Sequence, residues 1–198
     1  MPGLEEVLTY QRGLWLLVRG DAAGLRFLDL GERGSLRSFW AILWCAPAIL
    51  ISWIWIRANY LHDMPSGTHA GSLYFFRLAL SEACGWILPV LLTAAVTYLA
   101  GIGNRFNGLV ACINWLSIPF SYANAVLIAV MVLLPGAAGL IAFLWLFLMA
   151  TLVFAMERVF RALCGPNIVP IIALILVQIV PVIFLSDWID AFLGISAP

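Results

Sequence analysis

The sequence contains no lysine: its ten basic residues are all arginines, and ten acidic residues balance them to a formal net charge of zero. With no lysine-rich arm and only 10% of residues charged, the electrostatic footprint that holds a phosphate backbone is missing, so nucleic acid is not an expected partner. Avoidance of lysine also fits a GC-rich bacterial coding bias. Histidine is limited to two residues and cysteine to four, with no C-x-x-C pair. Cys45, Cys84, Cys112 and Cys164 lie in or beside different apolar segments, which indicates neither a disulfide framework nor a zinc site. A packing role is expected of each. No H-E-x-x-H, G-x-S-x-G, phosphate loop or Ser-His-Asp set occurs, so no enzyme activity and no cofactor are expected. The chain begins Met1-Pro2-Gly3-Leu4-Glu5-Glu6. A secretory signal would open with a basic region, so the mature protein is expected to start near Met1.

What is abundant is apolar. Hydrophobic residues make up 64% of the 198 positions, against about 45–50% in soluble domains. The predicted fold class is an all-α polytopic membrane bundle of five transmembrane helices, N-terminus inside and C-terminus outside. An amphipathic interfacial segment, residues 1–37, precedes the five-helix domain, residues 38–198.

In the first segment, Leu4, Val7, Leu8, Leu14, Trp15 and Val18 alternate with Glu5, Glu6, Gln11 and Arg12, too charged to span and suited to the membrane surface or the bundle. Asp21 can cap a second short piece ending at Leu30, Gly31 to Gly34 is expected to break it, and Ser35 can cap the helix after the break. The spans are expected at about 38–56, 85–102, 109–134, 137–156 and 168–185. Arg57 to Gly71 reads as the longest non-helical loop, and a helix starting near Ser72 leads into the second span. Asp187, Trp188 and Asp190 are expected to close the last span at an interface. With an inner N-terminus, Arg12, Arg19, Arg26, Arg33, Arg37, Arg105, Arg158 and Arg161 fall on the cytoplasmic side, and only Arg57 and Arg77 outside. That asymmetry sets the orientation and predicts a bacterial inner-membrane location. Spans two and three, and again four and five, echo one another as hairpins with a proline in the outgoing helix, at Pro119 and Pro181.

The third span is the least greasy. Asn114, Ser117, Ser121 and Asn124 recur at spacings of three, four and three, one helical face, which in lipid must meet protein or water. Pro119 is read as sitting in the middle of that face, and it frees a backbone carbonyl that a neighbouring element has to satisfy. Gln178 in the fifth span is expected across from the stripe. As a dry seam, the stripe would hold helices in register through side-chain hydrogen bonds. As a path, it would line a hydrated cavity. The seam is favoured, because no acid or base lies at mid-depth to bind an ion.

Three other constellations stand out. His62, Asp63 and His69 share the outer loop and offer metal-ligating atoms, although the spacing matches no standard site and a solvated loop is the better reading. Glu82 can pair with Arg77 or Arg57, or serve a proton path. Glu157 precedes Arg161 by four residues, the favourable order for a helix pair, and Arg105 from the other inner turn can join them as a cytoplasmic clamp.

The five-span layout, with Gly103-Asn104-Arg105-Phe106-Asn107 followed by Trp115-Leu116-Ser117-Ile118-Pro119, resembles the Yip1-type family of membrane proteins. The first stretch is similar to that family's small-residue turn and the second to its hydroxyl-apolar-proline stretch. The resemblance implies a role in membrane organisation, trafficking or assembly, not catalysis. The expected function is thus a non-catalytic scaffold or accessory subunit of a larger bacterial inner-membrane complex, energy-transducing assemblies included. Its partners would be the lipid bilayer and other membrane-protein subunits. A small transporter or channel along the Asn114/Ser117/Ser121/Asn124 face is the alternative, and a lipid-modifying enzyme using His62 and His69 stands third.

Overall fold

The computed structural model describes residues 2–65 and 67–195, apart from the side chains of residues 135 and 185–187. Its helices are α1 (Leu4–Val18), α2 (Glu32–Ser38), α3 (Ala41–Asp63), α4 (Ser72–Leu99), α5 (Phe106–Leu133), α6 (Ala138–Cys164) and α7 (Ile168–Leu193). Short 3-10 turns cover Ala22–Phe27, Gly103–Arg105 and Pro135–Ala137, and no strand occurs among the described residues. Among the described residues, five helices are long and apolar enough to cross a membrane, α2 and α3 counting as one.

The N-terminal residues fold into a packed layer. Glu5 and Glu6 in the first turn of α1 suit the positive end of its dipole. At the other end Gly20 takes φ 88 while its N–H bonds Leu17 O at 2.8 Å and the Asp21 N–H bonds Leu16 O at 2.9 Å. This paired closure favours glycine because a side chain resists positive φ. Asp21 Oδ1 then accepts from the Ala23 N–H at 2.9 Å, as its capping role requires. The 3-10 turn beyond it crosses α1 where Gly13 meets Gly24: a Cβ on Gly13 would lie 2.9 Å from Gly24 O, so the two backbones touch.

Gly31 to Gly34 does not break the chain as expected. Glu32 opens α2, and Ser35 sits buried inside it, where its carbonyl accepts from Ser38 Oγ at 2.6 Å. Glycine at 34 is used for closeness instead, since a Cβ there would collide with the Asp29 carbonyl.

Most of the expected spans are cores of longer helices. The second, however, expected over residues 85–102, ends at Leu99 because the chain turns at Ala100 to Ile102, and the first is interrupted at residues 39–40 between α2 and α3. The first continues through Arg57 to Asp63, which shortens the expected loop of residues 57–71 to 64–71. The second begins at Ser72, the fourth runs on to Cys164 and the fifth to Leu193. Hydropathy marks only the apolar part of a helix, whereas these ends are polar and held by packing and hydrogen bonds. Asp190 lies inside α7 and accepts from Ser81 Oγ at 2.7 Å. The side chain of Asp187 and residues 196–198 fall outside what the structure describes.

The helices are not packed in chain order. α3 lies along α5, α5 on α6, α6 on α7 and α7 on α4, while α4 barely touches α5, its neighbour in sequence. A dense core joins α1, α5, α6 and α7 through Leu14, Leu17, Leu109, Trp115, Phe160 and Ile171. A smaller one at the opposite end gathers Tyr74, Leu78 and Ile195 with Trp53 and Tyr60.

Candidate functional site: the polar face of α5 and its cavity

The polar face of α5 begins in the dense core and ends outside it. Asn114 is buried, and its Nδ2 donates to Ser38 Oγ at 2.8 Å, at the end of α2. Ser117 Oγ donates to the Asn114 carbonyl at 2.6 Å and lies 3.5 Å from Cys45 Sγ on α3. Asn124 Oδ1 accepts from Trp145 Nε1 on α6 at 3.0 Å. The residues therefore tie α5 to α2, α3 and α6 in turn, one hydrogen bond at each level.

Pro119 is exposed, so it does not share that face: five residues beyond Asn114 is about 140° round the helix. Its backbone consequence is nonetheless met. A proline at 119 cannot donate to the carbonyl of residue 115, and Gln11 Nε2 of α1 donates to Trp115 O at 2.7 Å. Tyr10 packs beside it, with ring centroids of Tyr10 and Trp115 5.0 Å apart. Helix α1 is thus built into the bundle, about three turns along α5.

Between α4, α5, α6 and α7, where α4 and α5 stand apart, lies a cavity of about 410 Å³. Asn114, Ser117, Ser121, Asn124 and Gln178 all line it, among apolar residues that include Trp86, Phe120 and Met156. No described lining residue carries a charge. Gln178 directs its amide Nε2 to Thr93 Oγ1 on α4 at 2.8 Å, so it faces the stripe across the cavity but bonds away from it. A further groove of about 420 Å³ runs between α5 and α6 and shares Phe120, Asn124 and Leu152 with the first.

The remaining candidates are placed apart. His62 Nδ1 lies 3.1 Å from Asp63 Oδ1 on the last turn of α3, both side chains exposed, and His69 is in the loop beyond. No group of three or more His, Cys, Asp or Glu among the described residues could hold a metal ion. Glu82 does not pair with either arginine. Its carboxylate accepts from Trp86 Nε1 at 3.0 Å, Arg57 Nε donates to Ala70 O at 2.8 Å, and Arg77 Nη1 to Gly194 O at 3.3 Å. The arginines are drawn to carbonyls that would otherwise lack donors, at the loop and at the end of α7.

Glu157 and Arg161 form the expected pair at 2.5 Å, but among the described residues no ion pair or hydrogen bond joins Arg105 to them. Arg158 makes the link instead: its Nε donates to Val18 O at 3.3 Å and its guanidinium fills the space above Gly20. On α1, Tyr10 donates to Glu6 Oε1 and Arg37 to Glu6 Oε2, each at 2.7 Å. Burial first, then that bond to Glu6, pushes the Tyr10 hydroxyl up to about 12.

Sequence reasoning did not single out Ser38, Thr93, Trp145 or Arg158 as partners. Only Gln11 carried a usable signal, an amide on an amphipathic helix in a chain where proline leaves a carbonyl open. Compared with known proteins, the chain matches no family model, no curated protein and no solved structure.

Proposed function

We propose that this protein is a non-catalytic membrane scaffold or accessory subunit of a larger bacterial inner-membrane assembly, with its N-terminal layer on the cytoplasmic side. The observation that carries the reading is the outer face of α1. Leu4, Leu8 and Trp15 are exposed at 58%, 58% and 62%, although the opposite face of the same short helix is locked into the core. An apolar stripe held rigid outside the spans is what a contact surface for another membrane subunit requires. The arginine distribution supports the N-in, C-out orientation. The five-span layout also supports a Yip1-like role in membrane organisation.

The experiment is site-specific photocrosslinking in native membranes, with a benzophenone amino acid at Leu8 or Trp15. A discrete protein adduct at both positions is expected. Adducts with lipid alone, together with a lone monomer after gentle solubilisation, overturn the scaffold reading.

A second reading, a small transporter or channel, draws support from the cavity that all four stripe residues line. On a background lacking the four native cysteines, Ser117→Cys and Ser121→Cys would then react with a water-soluble maleimide in intact membranes. Absence of labelling at both sinks it.

A further inference from the structure

The hydrogen bonds already made around the α4–α7 cavity leave a specific set of groups over. Asn124 uses its carbonyl oxygen on Trp145, which leaves both amide hydrogens to donate. Gln178 uses a donor on Thr93, and Asn114 uses a donor on Ser38, so each keeps its carbonyl oxygen as an acceptor. Ser121 adds a hydroxyl. The cavity therefore offers donors from Asn124 and acceptors from Asn114 on the same helix and Gln178 across it, with no charge among its described lining residues to balance an ionic guest. At about 410 Å³ it falls in the range of small-molecule sites, about 300–1,000 Å³.

The second groove settles the shape of the guest. Apart from Asn124 and the Trp145 indole it is apolar, lined by Phe120, Leu148, Met149 and Leu152, and Met149 is exposed on the surface of α6. Asn124 stands where the two spaces meet. A cavity carrying a cluster of polar groups, bordered along Phe120, Asn124 and Leu152 by an apolar groove between α5 and α6, accommodates a head and a chain.

We propose that the cavity and groove bind one uncharged lipid whose head carries both hydroxyl donors and carbonyl acceptors, of the acylglycerol kind. The head sits among Ser121, Asn124 and Gln178, and an acyl chain lies along α5 and α6 to the bilayer. A quinone offers acceptors only and would leave the oxygens of Asn114 and Gln178 unpaired, a cost in a dry site. An anionic lipid would enter a chamber with no cation among its described residues. The inference is independent of the scaffold reading, since neither needs the other's surface.

The test uses the full chain in phosphatidylcholine nanodiscs and a diacylglycerol with a diazirine in one acyl chain. Saturable labelling near one mole per mole is expected, mapped by peptide mass spectrometry to α5 and α6 around Leu148 and Leu152. Unlabelled dioleoylglycerol should compete, while dioleoyl phosphatidate and decylubiquinone should not. Asn124→Leu should weaken competition about tenfold, the effect of one lost hydrogen bond of about 1.4 kcal/mol, and Ser121→Trp should abolish saturable labelling by filling the chamber. Labelling that does not saturate, or that falls equally on the outward Phe143 and Phe147, overturns the proposal. So does equal competition by the anionic lipid or the quinone. These arms use the wild-type chain and stand even where a variant fails to fold.

Discussion

The two ends of the bundle are built by different means. At the end covered by α1 and α2, α5 is buried almost continuously from Gly108 to Leu116, whereas beyond that only Ala125 and Ile128 of the same helix are buried. Interdigitated apolar side chains hold the first end. The second has only the smaller apolar cluster around Tyr74 and Leu78, tied in by polar contacts: Tyr74 and Arg77 donate to the carbonyls of Ile195 and Gly194, and Ser81 Oγ to the Asp190 carboxylate. The contrast teaches where a small membrane protein is rigid and where it is open. Close packing leaves no voids and resists any change of volume, while the sparsely joined α4 and α5 leave room for a cavity.

The largest effect should therefore come from the packed end. Phe160 is 0% exposed and Phe147, thirteen residues earlier on the same helix, 64%. Phe160→Ala should destabilise by about 3–5 kcal/mol through the cavity it leaves. Phe147→Ala, at an exposed position on α6, should change stability by about 0.5 kcal/mol or less. Unfolding in mixed micelles measures both, and equal losses would break the comparison.

Next in size is the joint between layer and bundle. Gln11→Ala leaves the Trp115 carbonyl without a donor and should cost about 1–3 kcal/mol. In a Pro119→Ala background the helix regains an N–H for that same carbonyl, so Gln11→Ala should cost about 1 kcal/mol less there. A double-mutant cycle reads the coupling. Additive effects would show that Gln11 is not answering the proline.

That joint also shows how far the residues alone could lead. Five spans and their order follow from apolar runs, and the need for a donor at Trp115 followed from Pro119. What periodicity cannot state is which element answers. The stripe of Asn114, Ser117, Ser121 and Asn124 was visible as a face, but its division among Ser38, Cys45 and Trp145 depends on helices that pack out of chain order. Helix ends were misjudged for a related reason. Arg57 looks like a loop residue by hydropathy, yet it lies inside α3 with its guanidinium on the Ala70 carbonyl. Gly34 looked like a break because glycine favours turns, and packing against Asp29 overrode that.

A pH scan probes the layer by itself. The hydroxyl of Tyr10 is pushed up to about 12 from an ordinary value of about 10, so the fold favours the protonated form. The sign is set by that preference: this stability is fully present below about pH 10 and is lost as pH rises through about 12. Wild type should weaken over that window more than Tyr10→Phe, which has no proton to lose, in unfolding midpoints measured between pH 9 and 12.

The smallest effect belongs to charges on one helix. Arg161 pairs with Glu157 four residues earlier and is 43% exposed, so water and salt screen it. Arg161→Ala should cost about 0.3–0.5 kcal/mol, less at high salt. Arg158, three residues before it, reaches Val18 O and covers Gly20, and its loss also frees the α1 end from α6. Arg158→Ala should therefore cost about 1 kcal/mol and, unlike Arg161→Ala, should speed hydrogen exchange at the amides of residues 17–21. Equal exchange in the two variants would mean that the C-terminal end of α1 is held without Arg158, by its apolar face and the Gln11 bond to Trp115 O.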